Sequence, residues 1–228
     1  MQMQEQAVRF DIDGASIDAD IAIPADAVGL VLFVQGSSSS RQSPRNQYVA
    51  GHLRAEGLGT VLVDLLTSTE ERQDQFSGHL RFDITFLARR VTVVMEELRA
   101  QTALPLGLFG ASTGSAAALV AAANHPRKIR AVVSRGGRPD LAGNKLPLVM
   151  APTLFIVGGD DREVRELNRR AIELMRGEVR LEIVPGATHL FHEPGALEAV
   201  SHLGADWFKR HLDRRDDNVN TRPDSPAR

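Results

Sequence analysis

The chain contains the stretch Leu104-Pro105-Leu106-Gly107-Leu108-Phe109-Gly110-Ala111-Ser112-Thr113-Gly114-Ser115, and an Ala-rich run, residues 116–123, follows directly. An apolar segment of strand length thus leads into a Gly-x-Ser-x-Gly motif, and a segment of helical character begins behind it. This order predicts a strand, a very tight turn and a helix. Such a turn strains the backbone of Ser112 and exposes its hydroxyl, while Gly110 and Gly114 permit close approach because they lack a Cβ atom. We therefore predict that Ser112 is a nucleophile, with the N-terminus of the following helix directed at it.

Apolar segments of strand length alternate with segments of helical character along the rest of the chain. Strands are predicted at residues 8–12, 17–23, 30–34, 60–66, 104–109, 129–134, 153–157 and 179–184, and helices at residues 44–56, 81–101, 113–124, 162–175 and 194–211. The first two strands flank Asp13-Gly14, a strong signal for a hairpin turn. The polar residues 67–77 are predicted to lie outside these elements. Such alternation predicts an α/β fold with a mostly parallel central sheet of about eight strands and helices on both faces.

Length and composition indicate an ordinary globular protein. The chain has 228 residues, 43% of them hydrophobic and 25% charged, which fits one domain over residues 1–212. Residues 213–228 are charged, carry two prolines and are predicted to form a disordered tail. The connection after Arg135 is too short for a large lid domain. We find no internal repeat and no boundary of a second domain.

Charge and cysteine content exclude several classes of function. The net charge is −2, which gives no reason to expect nucleic acid or an anionic membrane as a partner. No cysteine is present, which excludes disulfides, thiolate metal sites and a cysteine nucleophile. No apolar run approaches the roughly 20 residues of a membrane helix, and the polar N-terminus lacks a signal pattern. We therefore expect a cytoplasmic protein that is a monomer or a homodimer.

Polar side chains with the chemistry of acyl transfer follow separate predicted strands. In parallel sheets, ligands bind beyond the carboxyl ends of the strands, where the sequence places Gln35, Ser112, Arg135, Asp161 and His189. A serine hydroxyl needs a base within hydrogen-bond reach, and the base needs an orienting acid. The chain order Ser, Asp, His suits this sheet topology. We predict Ser112 as nucleophile, His189 as base and Asp161 as orienting acid.

Two of these assignments have rivals nearby in the sequence. His192 lies three residues beyond His189, but His189 directly follows the last predicted strand. Asp160 is the alternative acid, although it is also placed to cap the following helix. A metal site formed by His189, His192 and Glu193 suits the residue types, but no further matching ligands are present and we predict none.

The remaining candidates concern the oxyanion and the substrate. Amide donors for an oxyanion are expected from the backbone of Thr113, directly after the nucleophile, and of Ser37, after the third strand. Gln35, Arg41 and Arg135 are candidate substrate-binding residues, and Arg45 and Arg138 are predicted to lie at the same edge. Arginines suit carboxylate or phosphate, which suggests an anionic ester. The simpler interpretation, which we favour, is that the arginines pair with local acids such as Asp140.

Several of these motifs resemble those of a known family. The sequence resembles the α/β-hydrolases, and within them the small dienelactone-hydrolase-related proteins, over residues 8–212. The resemblance rests on residues 110–114, 151–161 and 185–191, and residues 38–46, 81–84 and 134–140 resemble a subgroup sometimes fused to phosphoribosyltransferase domains. No phosphoribosyltransferase segment is recognisable in this chain. The resemblance implies an α/β-hydrolase fold, ester or related acyl hydrolysis without a cofactor, and a Ser112, Asp161 and His189 triad.

Two departures from the family pattern affect what the resemblance implies. Dienelactone hydrolases proper use a cysteine nucleophile, so lactone specificity does not carry over to this chain. Many relatives have His-Gly where this chain has Gln35-Gly36. The expected function is hydrolysis of a small carboxylic ester or thioester. The alternatives are a weakly active or inactive hydrolase-fold binding protein, which the Gln35 departure favours, and a serine-dependent acyltransferase.

Overall fold

The computed structural model describes residues 3–36 and 40–213 of the chain. The strands are β1 Met3–Ile12, β2 Ala15–Pro24, β3 Leu30–Val34, β4 Gly59–Val63, β5 Leu106–Ala111, β6 Ile129–Arg135, β7 Thr153–Gly158 and β8 Val179–Val184. They form one sheet in the order β1-β2-β4-β3-β5-β6-β7-β8. Only β1 with β2 and β2 with β4 pair antiparallel, and all other neighbours are parallel. The predicted eight-stranded, mostly parallel sheet is therefore confirmed.

Helices cover both faces of the sheet, as predicted. They are α1 Pro44–Ala55, α2 Ser68–Ser77, α3 His79–Phe82, α4 Ile84–Gln101, α5 Thr113–Asn124, α6 Arg162–Leu174 and α7 Ala196–Leu212, with a kinked 3₁₀ helix at Pro139–Leu148. One apolar core lies between the sheet and α4, α5 and α6, and a second lies between the sheet and α1 and α7. Buried apolar side chains on each face thus fix the helices against the sheet.

The central strands and α5 are almost completely buried. Every residue of β3, β4 and β5 is buried, which explains why these strands are continuous apolar runs. α5 is buried from Thr113 to Ala122. Its alanines present little bulk, so this helix lies close to the sheet directly behind the Ser112 turn.

The glycines of the Ser112 turn permit two close backbone approaches. A Cβ atom on Gly114 would lie 2.2 Å from the carbonyl oxygen of Val34, at the end of β3. One on Gly110 would lie 2.5 Å from Cα of Ser115, in the first turn of α5. Both distances are far below van der Waals contact. The predicted close approach of strand and helix is therefore present.

Two sequence predictions between β4 and β5 were wrong. Residues 68–77, predicted to lie outside the regular elements, form α2, which begins with a reciprocal capping box between Thr67 and Glu70. The predicted helix over residues 81–101 is divided into α3 and α4, because Asp83 caps α4 by accepting a hydrogen bond from Phe86 N at 2.9 Å. Local capping bonds thus set the helix boundaries here.

Two further predictions concern the membrane and the C-terminal segment. Within residues 3–36 and 40–213, no helix combines the length and hydropathy that crossing a membrane requires. The predicted tail, apart from Asp213, falls outside the described residues. It stays a prediction.

Candidate active site

The carboxyl ends of the parallel strands place the three predicted triad residues at one edge of the sheet. Ser112 directly follows β5, Asp161 lies three residues after β7, and His189 lies five residues after β8. These strands run parallel, with β6 between β5 and β7. Residues that are far apart in the sequence therefore meet at this edge.

Ser112 has the strained backbone conformation that its motif predicts. Its φ and ψ angles are 51° and −125°, in a region that residues with a side chain rarely adopt. The backbone is held on both sides: Ser112 N donates to the Arg135 carbonyl oxygen at 3.3 Å, and the Ser112 carbonyl oxygen accepts from Arg138 N at 3.1 Å. The surrounding loop therefore fixes the turn that carries the hydroxyl.

Asp161 and His189 form a hydrogen-bonded pair. His189 Nδ1 and Asp161 Oδ2 are 2.7 Å apart, and the side chain of Asp161 is 13% exposed while that of His189 is 41% exposed. The acid is thus shielded and the imidazole reaches the solvent. With Nδ1 donating to the carboxylate, Nε2 is left unprotonated in the neutral ring and can accept a proton.

Asp160 and His192, the alternative acid and the alternative base, make contacts that differ from those of Asp161 and His189. Asp160 is exposed, and its backbone N–H donates to the Ala187 carbonyl oxygen at 3.0 Å. His192 is also exposed, and its Nε2 lies 3.5 Å from Arg45 Nη1. The structure therefore brings Asp161, and not Asp160, to His189.

The loop after β6 connects the nucleophile turn with the histidine. Arg138 N bonds the Ser112 carbonyl oxygen, and a Cβ atom on Gly136 would lie 3.2 Å from the His189 carbonyl oxygen and 3.6 Å from its Nδ1. Asn168, fully buried on α6, donates to the Gly137 carbonyl oxygen at 3.0 Å. This positioning role of Asn168 was not predicted, because its only signal in the sequence is an amide side chain on the buried face of a helix.

One of the two predicted oxyanion donors lies in the described part of the chain. Thr113 is the first residue of α5, and the first N–H groups of a helix have no intrahelical acceptor. Gly36 lies against this turn, since a Cβ atom there would be 3.0 Å from Ser112 Cβ. Ser37, the predicted second donor, falls outside the described residues, and its role stays a prediction.

Gln35, at the end of β3, is held by its neighbours. Its Oε1 accepts a hydrogen bond from Asn46 Nδ2 at 2.8 Å, and its Nε2 donates to the Val63 carbonyl oxygen at 3.4 Å. Gln35 and Asn46 are both buried, at 5% and 1% exposure. The amide thus ties the end of β3 to α1 and β4. Its partner Asn46 was not predicted from the sequence.

A small cavity opens beside Gln35 and Gly36. Its volume is about 80 Å³, and its lining includes Gln35, Gly36, Asp64, Leu65, Asp74 and Arg81. The carboxylate of Asp74 accepts from Arg81 Nε at 2.7 Å and from Leu80 N at 2.6 Å. This arrangement ties α2 to α3 at one wall of the cavity.

The four arginines predicted at this edge divide into two pairs. Arg41 contacts Asp64 at 2.5 Å and Asp20 at 3.3 Å. Arg138 binds Asp140 through two hydrogen bonds of 2.9 and 2.8 Å. Both arginines therefore form ion pairs, but only Arg138 pairs with an acid nearby in the sequence, Asp140, as the favoured interpretation expects.

Arg135 and Arg45 form no ion pair with an acid in the part of the chain that the structure describes. Arg135 is 7% exposed, and its Nη1 has no hydrogen-bond partner among the described residues. Burial, and next the positive charge of Arg45, lower the pKa of Arg135 to about 10. A buried guanidinium with a pKa of about 10 is still charged at neutral pH.

Metal ligands are not grouped at this edge. In the parts of the chain that the structure describes, no three His, Asp or Glu side chains are arranged to hold a metal ion. His189, which a metal site with His192 and Glu193 would need, is bound to Asp161.

Comparison with known proteins identifies the family. No family model matches the sequence. A solved structure of the dienelactone hydrolase from Anabaena variabilis is 51% identical, covers 93% of this chain and 100% of its own, and superposes with a TM-score of 0.89. The chain belongs to the dienelactone hydrolase family. The resemblance predicted from the sequence is thus confirmed, including the α/β-hydrolase fold.

More distant structures share the fold of this dienelactone hydrolase relative. Est1E from Butyrivibrio proteoclasticus is 15% identical with a TM-score of 0.76, covering 90% of this chain and 98% of its own. The esterase domain of a Rhodothermus marinus protein is 18% identical with a TM-score of 0.74, covering 92% and 100%. At these identities the likeness shows the fold alone.

Curated relatives of this dienelactone hydrolase family member are longer than the chain. Proteins of two Mycobacterium tuberculosis strains, provisionally named phosphoribosyl transferases, are 49% identical over 213 residues. The match covers 92% of this chain and 47% of theirs. The chain therefore spans about half of the length of the curated relatives that it matches.

Proposed function

We propose that this dienelactone hydrolase family member is a serine hydrolase that cleaves a small carboxylic ester or thioester without a cofactor. The observation that carries the proposal is the placement of the Asp161–His189 hydrogen bond, 2.7 Å long, at the sheet edge where Ser112 has its strained conformation. A nucleophile, a base and an orienting acid on three strand ends are the groups that acyl transfer requires.

In the proposed reaction His189 Nε2 takes the proton of Ser112 Oγ as the oxygen attacks the substrate carbonyl carbon. The N–H of Thr113 donates to the oxyanion, and His189 returns the proton to the leaving alcohol or thiol. Water then attacks the acyl-enzyme with His189 again as base, which releases the acid and restores Ser112. Asp161 holds the imidazole in the required tautomer and stabilises its protonated form.

The environment of Gln35 supports an enzyme over an inactive binding protein. The inactive alternative rested on Gln35 where many relatives have histidine. In the structure the Gln35 amide is bonded to Asn46 and to the Val63 carbonyl oxygen. The end of β3, which leads into the predicted oxyanion loop, is thus held by the hydrogen bonds of Gln35 with Asn46 and Val63.

The proposal does not assign to this chain the phosphoribosyl transfer that the mycobacterial relatives are named for. The chain matches 47% of their length, and the matched residues form a hydrolase fold. We attribute the phosphoribosyl transfer in that name to the part of those proteins that this chain does not match.

Active-site labelling tests the proposal directly. A fluorophosphonate probe is expected to label the native protein stoichiometrically, and to label neither Ser112→Ala nor His189→Ala, because the probe reacts only with an activated serine. His202→Ala, an exposed histidine on α7, is the matched control and should label like the native protein. A screen of p-nitrophenyl esters and acyl thioesters then defines the bond that is cleaved. Absence of labelling in folded native protein would overturn the proposal.

A further inference from the structure

The guanidinium of Arg135 is buried at the predicted active-site edge, and no carboxylate of residues 3–36 and 40–213 forms an ion pair with it. Arg135 ends β6, and its backbone carbonyl accepts the Ser112 N–H. Its side chain is 7% exposed and its Nη1 is unpartnered within the described residues. An isolated buried charge is costly, so buried guanidinium groups in proteins are normally paired.

A second cation, Arg45, lies in the same region as Arg135. Arg45, in the first turn of α1, is near enough for its charge to oppose that of Arg135. Its buried Nε also has no hydrogen-bond partner in residues 3–36 and 40–213, and its Nη1 lies 3.5 Å from His192 Nε2. The charges of Arg45 and Arg135 therefore repel each other, which disfavours the arrangement without an anion.

The helix at this place adds to the positive potential. α1 has 12 residues and no acidic residue in its first turn, and Ser43 makes no side-chain capping bond there. Helix N-termini favour anions. Neither Arg135 nor Arg45 forms an ion pair with a carboxylate of the described residues, in contrast to Arg41 and Arg138 at the same edge.

We propose that Arg135 and Arg45 form a binding subsite for a dianionic group, a phosphate monoester carried by the substrate. Two guanidinium charges are balanced by a group that carries two negative charges, and the oxygens of a phosphate can accept from both forks. A single carboxylate would leave one positive charge uncompensated. The inference deepens the proposed function and rests on it, because it assigns the substrate class to the same site.

Direct binding tests the subsite without catalysis. Methyl phosphate, which is dianionic at pH 8, and acetate are titrated into the native protein by calorimetry at constant ionic strength. Methyl phosphate is expected to bind with a Kd of about 1 mM or below, at least about tenfold more tightly than acetate. Equal affinity for acetate overturns the dianionic assignment, and no saturable binding of either anion to folded protein overturns the subsite.

Charge-removing variants locate the binding. Arg135→Met and Arg45→Met should each weaken methyl phosphate binding by about tenfold or more. Arg170→Met is the control, because it removes the same charge from an exposed pair with Glu166, and it should bind normally. Arg135→Met should also unfold at a higher temperature than the ligand-free native protein, because an unbalanced charge is replaced by an apolar side chain. A lower unfolding temperature would assign Arg135 a structural role and overturn the proposal.

Kinetics on matched esters link the subsite to turnover. Esters whose leaving group carries a phosphate, a carboxylate or a hydroxyl are compared, and the phosphate compound should have a kcat/KM at least about tenfold above the others. Arg135→Met should remove this preference, whereas Arg170→Met should keep it. Fluorophosphonate labelling without phosphate binding refutes the subsite alone, whereas phosphate binding without labelling refutes the proposed hydrolase alone.

Discussion

At the residue scale, the side chain of Asp161 pairs with His189 instead of capping α6. It is the N-cap residue of α6, yet its side chain makes no capping hydrogen bond. Its carboxylate is turned instead to His189. An N-cap bond is worth about 1 kcal/mol, so the pair with His189 forms at some cost to the stability of α6.

Asp161→Asn is therefore expected to lower activity without lowering stability. Asparagine favours the wrong tautomer of the imidazole, and kcat should fall by a factor of about 10³–10⁴ with little change in KM. Asparagine is also a good N-cap, so the free energy of unfolding in urea should stay equal or rise. The matched control is Asp160→Asn, which should keep near-native kcat. A large loss in that control would show that Asp160 is the orienting acid.

Only part of the arginine pairing could be predicted from the sequence. Arg41 is bound to Asp64, 23 residues away, whereas Arg138 is bound to Asp140, two residues away. Only the second partner was predicted, because local acids can be read from spacing and distant ones cannot. The burial of Arg135 likewise depends on elements that converge only in the fold.

At the element scale, α2 shows why some helices escape sequence patterns. The helix has a capping box and a left-handed Gly78 at its end, but Asp74 is its only buried residue. Helix prediction relies mainly on an apolar stripe, and this helix has none. Its position depends on polar bonds to α3 instead.

Asp74→Asn is expected to loosen α2 and α3. The change removes the ion pair with Arg81 and should cost about 2 kcal/mol of stability. Burial alone would raise the pKa of Asp74, but hydrogen bonds from Arg81 and Leu80 outweigh it and hold the pKa below 3.8. Because the pKa of Asp74 is lower in the folded than in the unfolded state, its ionised carboxylate stabilises the folded protein above the unfolded-state pKa. This stabilisation is lost as pH falls through the folded-state pKa.

Urea unfolding of native protein and Asp74→Asn across pH checks this expectation. The difference in unfolding free energy should be constant between about pH 5 and 7 and should shrink below about pH 4. Asp26→Asn, in the loop between β2 and β3, serves as the control and should unfold like the native protein. A difference that persists unchanged to low pH would rule out the ion pair as its cause.

At the scale of the whole molecule, the alternation of strands and helices was enough to predict the sheet. It was also enough to place Ser112, Asp161 and His189 at one edge, because parallel strands end on the same side. The geometry that distinguishes Asp161 from Asp160, and His189 from His192, depends on loop conformations that no periodicity encodes. The resemblance to the dienelactone hydrolases added the expected chemistry and not these contacts.

The domain assignment leads to a prediction for a shortened chain. The last helix packs Trp207, Phe208 and Leu212 into the core, so a protein that ends at Asp213 retains these contacts. Its unfolding free energy should equal that of the full chain within about 0.5 kcal/mol, and its fluorophosphonate labelling should be unchanged. A protein that ends at Asp206 loses all three side chains and should not fold. If shortening to Asp213 lowers stability, residues 214–228 belong to the folded unit.

The position of β8 bears on how long the contact between Asp161 and His189 persists. Among the described residues this strand is an edge of the sheet and pairs only with β7, and Val184 is its one buried residue. Local unfolding of an element at the edge of a domain costs less free energy than unfolding of its centre. His189 follows β8, so each opening carries the imidazole away from Asp161 while the central strands stay folded. We therefore expect the Asp161–His189 contact to be lost through fluctuations at one border of the sheet before the central strands unfold.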